Sequence, residues 1–180
     1  MNKYRVTKYN PANRDQYGIY TDQEEWISYN DIGEKQGKSG LLSEEEYVHI
    51  EQLYVEAIVQ FMKLHSIESL RVTKLERYED FVQHFDSRTT PEMKRLFSSV
   101  KDKDQLSIPE IESFAKLILR ELLWAQLEME ECMMVSFGFD YYMYLYSDEP
   151  IHSFKRRMES RGLFVERMPD DVHEEDEENE

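Results

Sequence analysis

Apolar side chains at Tyr47, Ile50, Tyr54, Ala57, Ile58, Phe61 and Leu64 recur at intervals of three and four residues. That period predicts an amphipathic helix over about 44–65. Ser43, followed by Glu44, Glu45 and Glu46, has the spacing of a capping box and puts acids in the first turn, where the helix dipole favours them. Ser107 and Glu110 open a second such run. Ile111, Phe114, Ala115, Ile118, Leu122, Trp124 and Ala125 mark its apolar face, and Leu117, Leu119, Leu123 and Leu127 widen it. This stretch reads as one long helix over about 108–129, the most buried in the chain. Thr90-Pro91 is a cap and first-turn pair for one or two short helices within 78–100. A short basic helix is expected over 151–161, stopped by Gly162.

Strand signals alternate with these helices. Residues 4–9 (YRVTKY), 70–75 (LRVTKL) and 163–165 read as short strands. Residues 133–137 and 141–147 are rich in aromatic and other strand-forming residues, with Gly138-Phe139-Asp140 between them, which predicts a β-hairpin. In its second strand Tyr142, Tyr144 and Tyr146 share one face, and Tyr141, Met143 and Leu145 the other. Both faces are apolar or amphipathic, as in a central strand. Residues 12–40 have loop composition but carry Tyr17, Ile19, Tyr20, Trp26, Ile27, Tyr29 and Ile32, so they are expected to wrap the domain and pin themselves with those side chains. The order gives an α+β fold, a mixed or mostly antiparallel sheet with helices packed on it. Residues 1–169 form one domain, and residues 170–180 read as a disordered acidic tail.

Charge narrows the choice of partners. The chain has 38 Asp+Glu against 22 Lys+Arg, a net charge of -16. Eight of those acids lie in residues 170–180, which leaves -16 + 8 = -8 on the rest. Such a field repels nucleic acid and anionic membranes and attracts basic protein surfaces. A single cysteine, Cys132, excludes an internal disulfide. The N-terminal segment lacks the apolar run of a signal peptide, and no window is apolar enough to span a bilayer. A cytoplasmic location is the expectation. Many of the twelve tyrosines are read as residues of the core edge, with buried rings and wet hydroxyls.

Candidate chemistry is sparse. Gly33 to Ser39 imitates a phosphate-binding loop, but its glycines are one residue too close and it lacks the strand before and the helix after. Glu45/His49 and Asp80/His84 each offer two metal ligands at helical spacing, short of the three or four that zinc needs. Cys132 lies beside Glu131, which works against a reactive thiolate. Acid pairs for glycoside hydrolysis are easy to propose among 38 acids and carry no weight alone. Lys155, Arg156, Arg157 and Arg161 are the one dense basic cluster, set in a negative field. No catalytic, cofactor or metal site is therefore assigned, and the chain is read as a non-enzyme. Aromatic residues beside carboxylates, Trp26, Tyr29 and Asp31 in the wrapping segment and Asp140, Tyr142 and Tyr144 in the hairpin, are the candidate contacts for a basic partner.

Residues 3–11 (KYRVTKYNP), 25–33 (EWISYNDIG) and 137–144 (FGFDYYMY) resemble a group of small, mostly uncharacterised acidic cytosolic proteins of Bacillus-type bacteria. Such proteins are similar in kind to the immunity partners of bacterial toxins. The resemblance implies a protein-binding domain that occludes a basic toxin domain. A regulatory or interaction module without a toxin partner, and an enzyme with dispersed residues, are the alternatives.

Overall fold

The computed structural model describes residues 1–17, 20–21, 25–38 and 40–169; the acidic tail and Ile19 lie outside them. Seven strands form one open antiparallel sheet in the order β5-β4-β6-β7-β8-β1-β9. They are β1 (Asn2–Thr7), β4 (Ser69–Glu76), β5 (Gln105–Ser107), β6 (Trp124–Met129), β7 (Met133–Phe137), β8 (Met143–Ser147) and β9 (Phe164–Arg167). A small ribbon, β2 (Gln36–Gly37) with β3 (Gly40–Leu41), precedes α1 (Glu44–Leu64). The other helices are α2 (Pro91–Ser99), α3 (Ile108–Leu119) and α4 (His152–Glu159), with a 3-10 turn at Glu79–His84. Helices packed on this sheet make the fold α+β.

Caps act where the sequence sets them. Ser43 Oγ accepts from Glu46 N at 3.1 Å, and Thr90 Oγ1 accepts from Met93 N at 3.2 Å. Ser107 and Glu110 form a reciprocal capping box. Alternation then sorts the sheet into two faces. Val72, Leu127, Val135 and Leu145 lie opposite one another in register and are fully buried. The other face carries Thr73 opposite Gln126, and Ser136 opposite Tyr144 opposite Arg5.

The long helix expected over 108–129 is a correction. Its first half is α3, but the chain turns at Arg120 and continues as β6. Glu121 adopts φ 58°, Glu121 N–H bonds the Ile118 carbonyl at 2.8 Å and Leu122 N–H bonds the Leu117 carbonyl at 3.0 Å. This is a Schellman termination with glutamate where glycine is usual. Ser66, at φ 57°, ends α1 in the same way. Beyond the turn, Ala125 and Leu127 face the helices while Gln126 takes the other face, a two-residue period hidden in a mostly apolar run.

The wrapping segment is pinned as expected, though by fewer apolar groups. Trp26 is buried, and Tyr20, Tyr29 and Ile32 pack against the core, whereas Tyr17 and Ile27 are exposed. Arg14 clamps Glu166 of β9 with two bonds, at 2.8 and 2.9 Å. Three tyrosines sit deeper than the core edge. Tyr47, Tyr54 and Tyr141 are buried and their hydroxyls bond inside the protein. Tyr54 donates to the Tyr141 carbonyl at 2.6 Å and accepts from Lys8 N–H at 2.7 Å. Tyr141 donates to the Tyr47 hydroxyl, which donates to the Leu119 carbonyl at 3.3 Å. Burial pushes all three phenols up in pKa.

Candidate functional site

Three segments converge on one end of the sheet. The end of α3 brings Ile118, Leu119 and Glu121. The β7–β8 turn brings Phe139 and Asp140, and the segment after β4 brings Tyr78 and Phe81. Between them lies a cleft of about 560 Å³. Trp124, Gln126, Ser136 and Tyr144 of the sheet, and Tyr142 just before β8, also line it.

The β7–β8 turn has the signature of a tight hairpin. Tyr142 N–H bonds the Phe139 carbonyl at 3.0 Å, and the central residues Asp140 and Tyr141 both have positive φ, 56° and 61°. Twist-matched hairpin turns require this, usually from Asn-Gly. A tyrosine there is costly. The buried Tyr141 ring offsets the strain, meeting Trp26, Tyr47 and Tyr54 edge-on or tilted at centroid distances of 5.2–6.0 Å. Inserting that ring into the core leaves Phe139 at the tip, 73% exposed, with Asp140 beside it.

The rim of the cleft is apolar and acidic. Tyr78 is 64% exposed and Ile27 is 44% exposed, and both stand on it. Glu76, Glu121 and Asp140 supply carboxylates. Partial desolvation pushes the Glu121 carboxyl up, and the charges of Asp31 and Asp140 push it further. Asp140 is raised by the same two causes, desolvation and Asp31, with Lys8 opposing. These acids are thus held near one another with little neutralisation. Among the described residues no group of three His, Cys, Asp or Glu is placed to hold a metal ion. The Ser136 hydroxyl, in a residue 3% exposed, has no hydrogen-bond partner.

The candidate contacts read from sequence divide into two sets. Asp140, Tyr142 and Tyr144 come together at the cleft. Tyr144 is only 3% exposed, with Lys3 Nζ 4.1 Å from its ring centroid, and so forms wall rather than an exposed anchor. Arg5 covers the Tyr142 ring at 5.0 Å. Asp31 acts on the site through its charge, while its Oδ2 accepts from Ile27 N–H at 2.7 Å and Ser28 N–H at 3.0 Å. Trp26 is a core residue, 2% exposed, with Lys8 Nζ 4.0 Å from its ring. The guanidinium groups of Arg88 and Arg120 each lie 5.3 Å from the Tyr29 ring, and the Tyr29 hydroxyl bonds Asp86 and Arg88. Glu121, Phe139, Tyr78 and Ser136 escaped the sequence reading. The one available signal was Phe139-Asp140 at a hairpin tip, an apolar residue where solvent-facing turns are usually polar.

Two other arrangements carry less. His65 joins the Phe61 carbonyl through Nδ1 and the Ser147 hydroxyl through Nε2, the pattern of a base beside a nucleophile. Ser147 is fully buried and accepts from Glu149 N–H at 2.9 Å, so the pair ties α1 to β8. In the basic cluster, Arg161 pairs with Glu56 at 2.9 Å, and Lys155 donates to the Val165 carbonyl at 2.7 Å. No helix among the described residues is long and apolar enough to cross a membrane. No protein-family model, curated protein or solved structure matches this chain.

Proposed function

We propose that this chain is a non-enzymatic protein-binding domain, and that the cleft at the β7–β8 turn receives a basic surface of its partner. One observation carries the reading. Glu121 and Asp140 are held with Asp31 beside an apolar cleft, and desolvation and mutual repulsion raise both carboxyls. A cation entering the cleft offsets the repulsion and favours the ionised form of both carboxyls, against their desolvation. Exposed Tyr78, Phe139 and Ile27 supply the anchor area that a charge pair alone lacks. The net charge of -16 adds long-range attraction for a basic partner and repulsion for phosphates.

The specific form proposed is an inhibitor of the immunity type, which covers a basic toxin domain and works in the cytoplasm. Occlusion needs no reacting groups here, only a fast encounter and slow release. Acids govern the first and buried aromatic contacts the second. A regulatory module with another basic partner would use the same cleft.

Affinity capture from the native cell tests the reading, with wild type and a Glu121→Gln/Asp140→Asn double variant immobilised side by side. The expected result is a basic protein retained by wild type and lost from the variant. Equal retention on both, or capture of nucleic acid, would overturn it.

A further inference from the structure

We infer that the cleft is a pocket for an arginine side chain carried by the partner, with the guanidinium at Glu121 and Asp140 and the flanking apolar residues of the partner on Phe139 and Tyr78. This rests on the cleft being the partner surface proposed above. Three independent features converge on it. The carboxylates come from two different elements, Glu121 at the end of α3 and Asp140 on the β7–β8 turn, and both line the same cleft. A cation in that cleft meets acids from both sides. A guanidinium offers five N–H donors in a fixed plane and bridges two acceptors, where an ammonium acts as a point charge.

The second feature is the character of the walls. Phe81, Trp124, Phe137 and Tyr141 line the same cleft as the acids. Guanidinium is the weakly hydrated cation, and its flat face packs on aromatic rings, so it loses less than an ammonium on entering. The protein already holds its own arginines over tyrosine rings, with Arg88 and Arg120 5.3 Å from Tyr29 and Arg5 5.0 Å from Tyr142. The third feature is Ser136, whose buried hydroxyl in the cleft wall has no partner. An unpaired buried hydroxyl is unfavourable, and a polar ligand that reaches it supplies the missing bond.

The test uses the full chain and the tripeptide acetyl-Phe-Arg-Phe-amide as probe, titrated to millimolar concentrations by calorimetry and by amide chemical shifts. Binding is expected at low salt, with shifts at Glu121, Ser136, Phe139 and Asp140. Replacing arginine by its neutral isostere citrulline is expected to weaken binding about tenfold or more, and lysine by a smaller factor. The Glu121→Gln/Asp140→Asn variant is expected to lose about as much as the citrulline swap, while its spectrum shows it folded. Equal binding of arginine and citrulline peptides, equal binding of arginine and lysine peptides, an unchanged variant, or no binding at all would each overturn the inference. If the peptide fails while capture of a basic protein still depends on the two acids, the arginine assignment alone is wrong. If that dependence is absent too, the binding surface itself is misplaced.

Discussion

Arg120 joins the fold to the site, because it caps α3 one residue before Glu121. Its Nε lies 2.6 Å from Glu51 Oε1 and its Nη2 lies 2.7 Å from Glu51 Oε2, while Nη1 donates to the Arg88 carbonyl at 3.0 Å. The Glu51 side chain is 1% exposed and that of Arg120 5%. Arg120→Met keeps much of the packing and removes the charge, which leaves the Glu51 carboxylate buried and unpaired. Breaking one side of such a pair costs about 3–5 kcal/mol. In a domain of this size, with roughly 2–4 °C per kcal/mol, the midpoint falls by about 6–20 °C. Removing both charges is different. Glu51→Leu/Arg120→Met leaves no orphaned carboxylate, and its main loss is the bond to the Arg88 carbonyl, about 1 kcal/mol. Urea unfolding of the two single variants and the double gives the coupling directly, provided m is unchanged. A single Arg120→Met cost below about 1 kcal/mol, or a double as unstable as either single, would refute the reasoning.

Trp26→Ala should destabilise the fold by about 3–5 kcal/mol in denaturant unfolding, as for a large buried aromatic, and alter partner dissociation only through that loss. Glu121→Gly should stabilise the protein by up to about 1 kcal/mol, because glycine suits the left-handed turn at φ 58°, yet weaken partner binding; calorimetric melting beside binding measures both. Lys8 lies 4.0 Å from the ring centroids of Tyr9 and Trp26, and burial lowers its pKa to about 8, against the opposing effect of Glu25. The folded chain therefore holds fewer protons than the unfolded chain between about 8 and 10.5, so stability from this group rises with pH across that window. From pH 8 to 10 wild type should gain about 2 kcal/mol relative to Lys8→Met, and parallel unfolding curves at each pH would contradict the assignment.

The parts of the fold with local chemistry were legible in the chain. The Ser43, Thr90 and Ser107 caps each mark a helix start, and the period after Ser43 sets α1 to within a residue. The end of α3 was hidden because its turn uses Glu121, not glycine, and no proline follows within residues 120–124. Leu122, Leu123, Ala125 and Leu127 then satisfy a helical stripe as well as they do a strand, since an apolar run has no period to read. The cleft was legible only in fragments. Asp140 stood out beside aromatics, but Glu121 is 19 residues away and Tyr78 is 62 residues away by numbering, and only the β4-β6-β7-β8 order brings them together. Trp26 shows the opposite failure. An aromatic in a loop looked available, and the ring is held in the core by Lys8, Tyr47 and Tyr141.

The most direct measurement of the central claim is amide hydrogen exchange of the chain, free and saturated with its captured partner. Protection is predicted at residues 138–142, 120–122 and 78–81, the three segments that meet at the cleft. Protection confined to α4 and its basic residues, with these three segments unchanged, would contradict it.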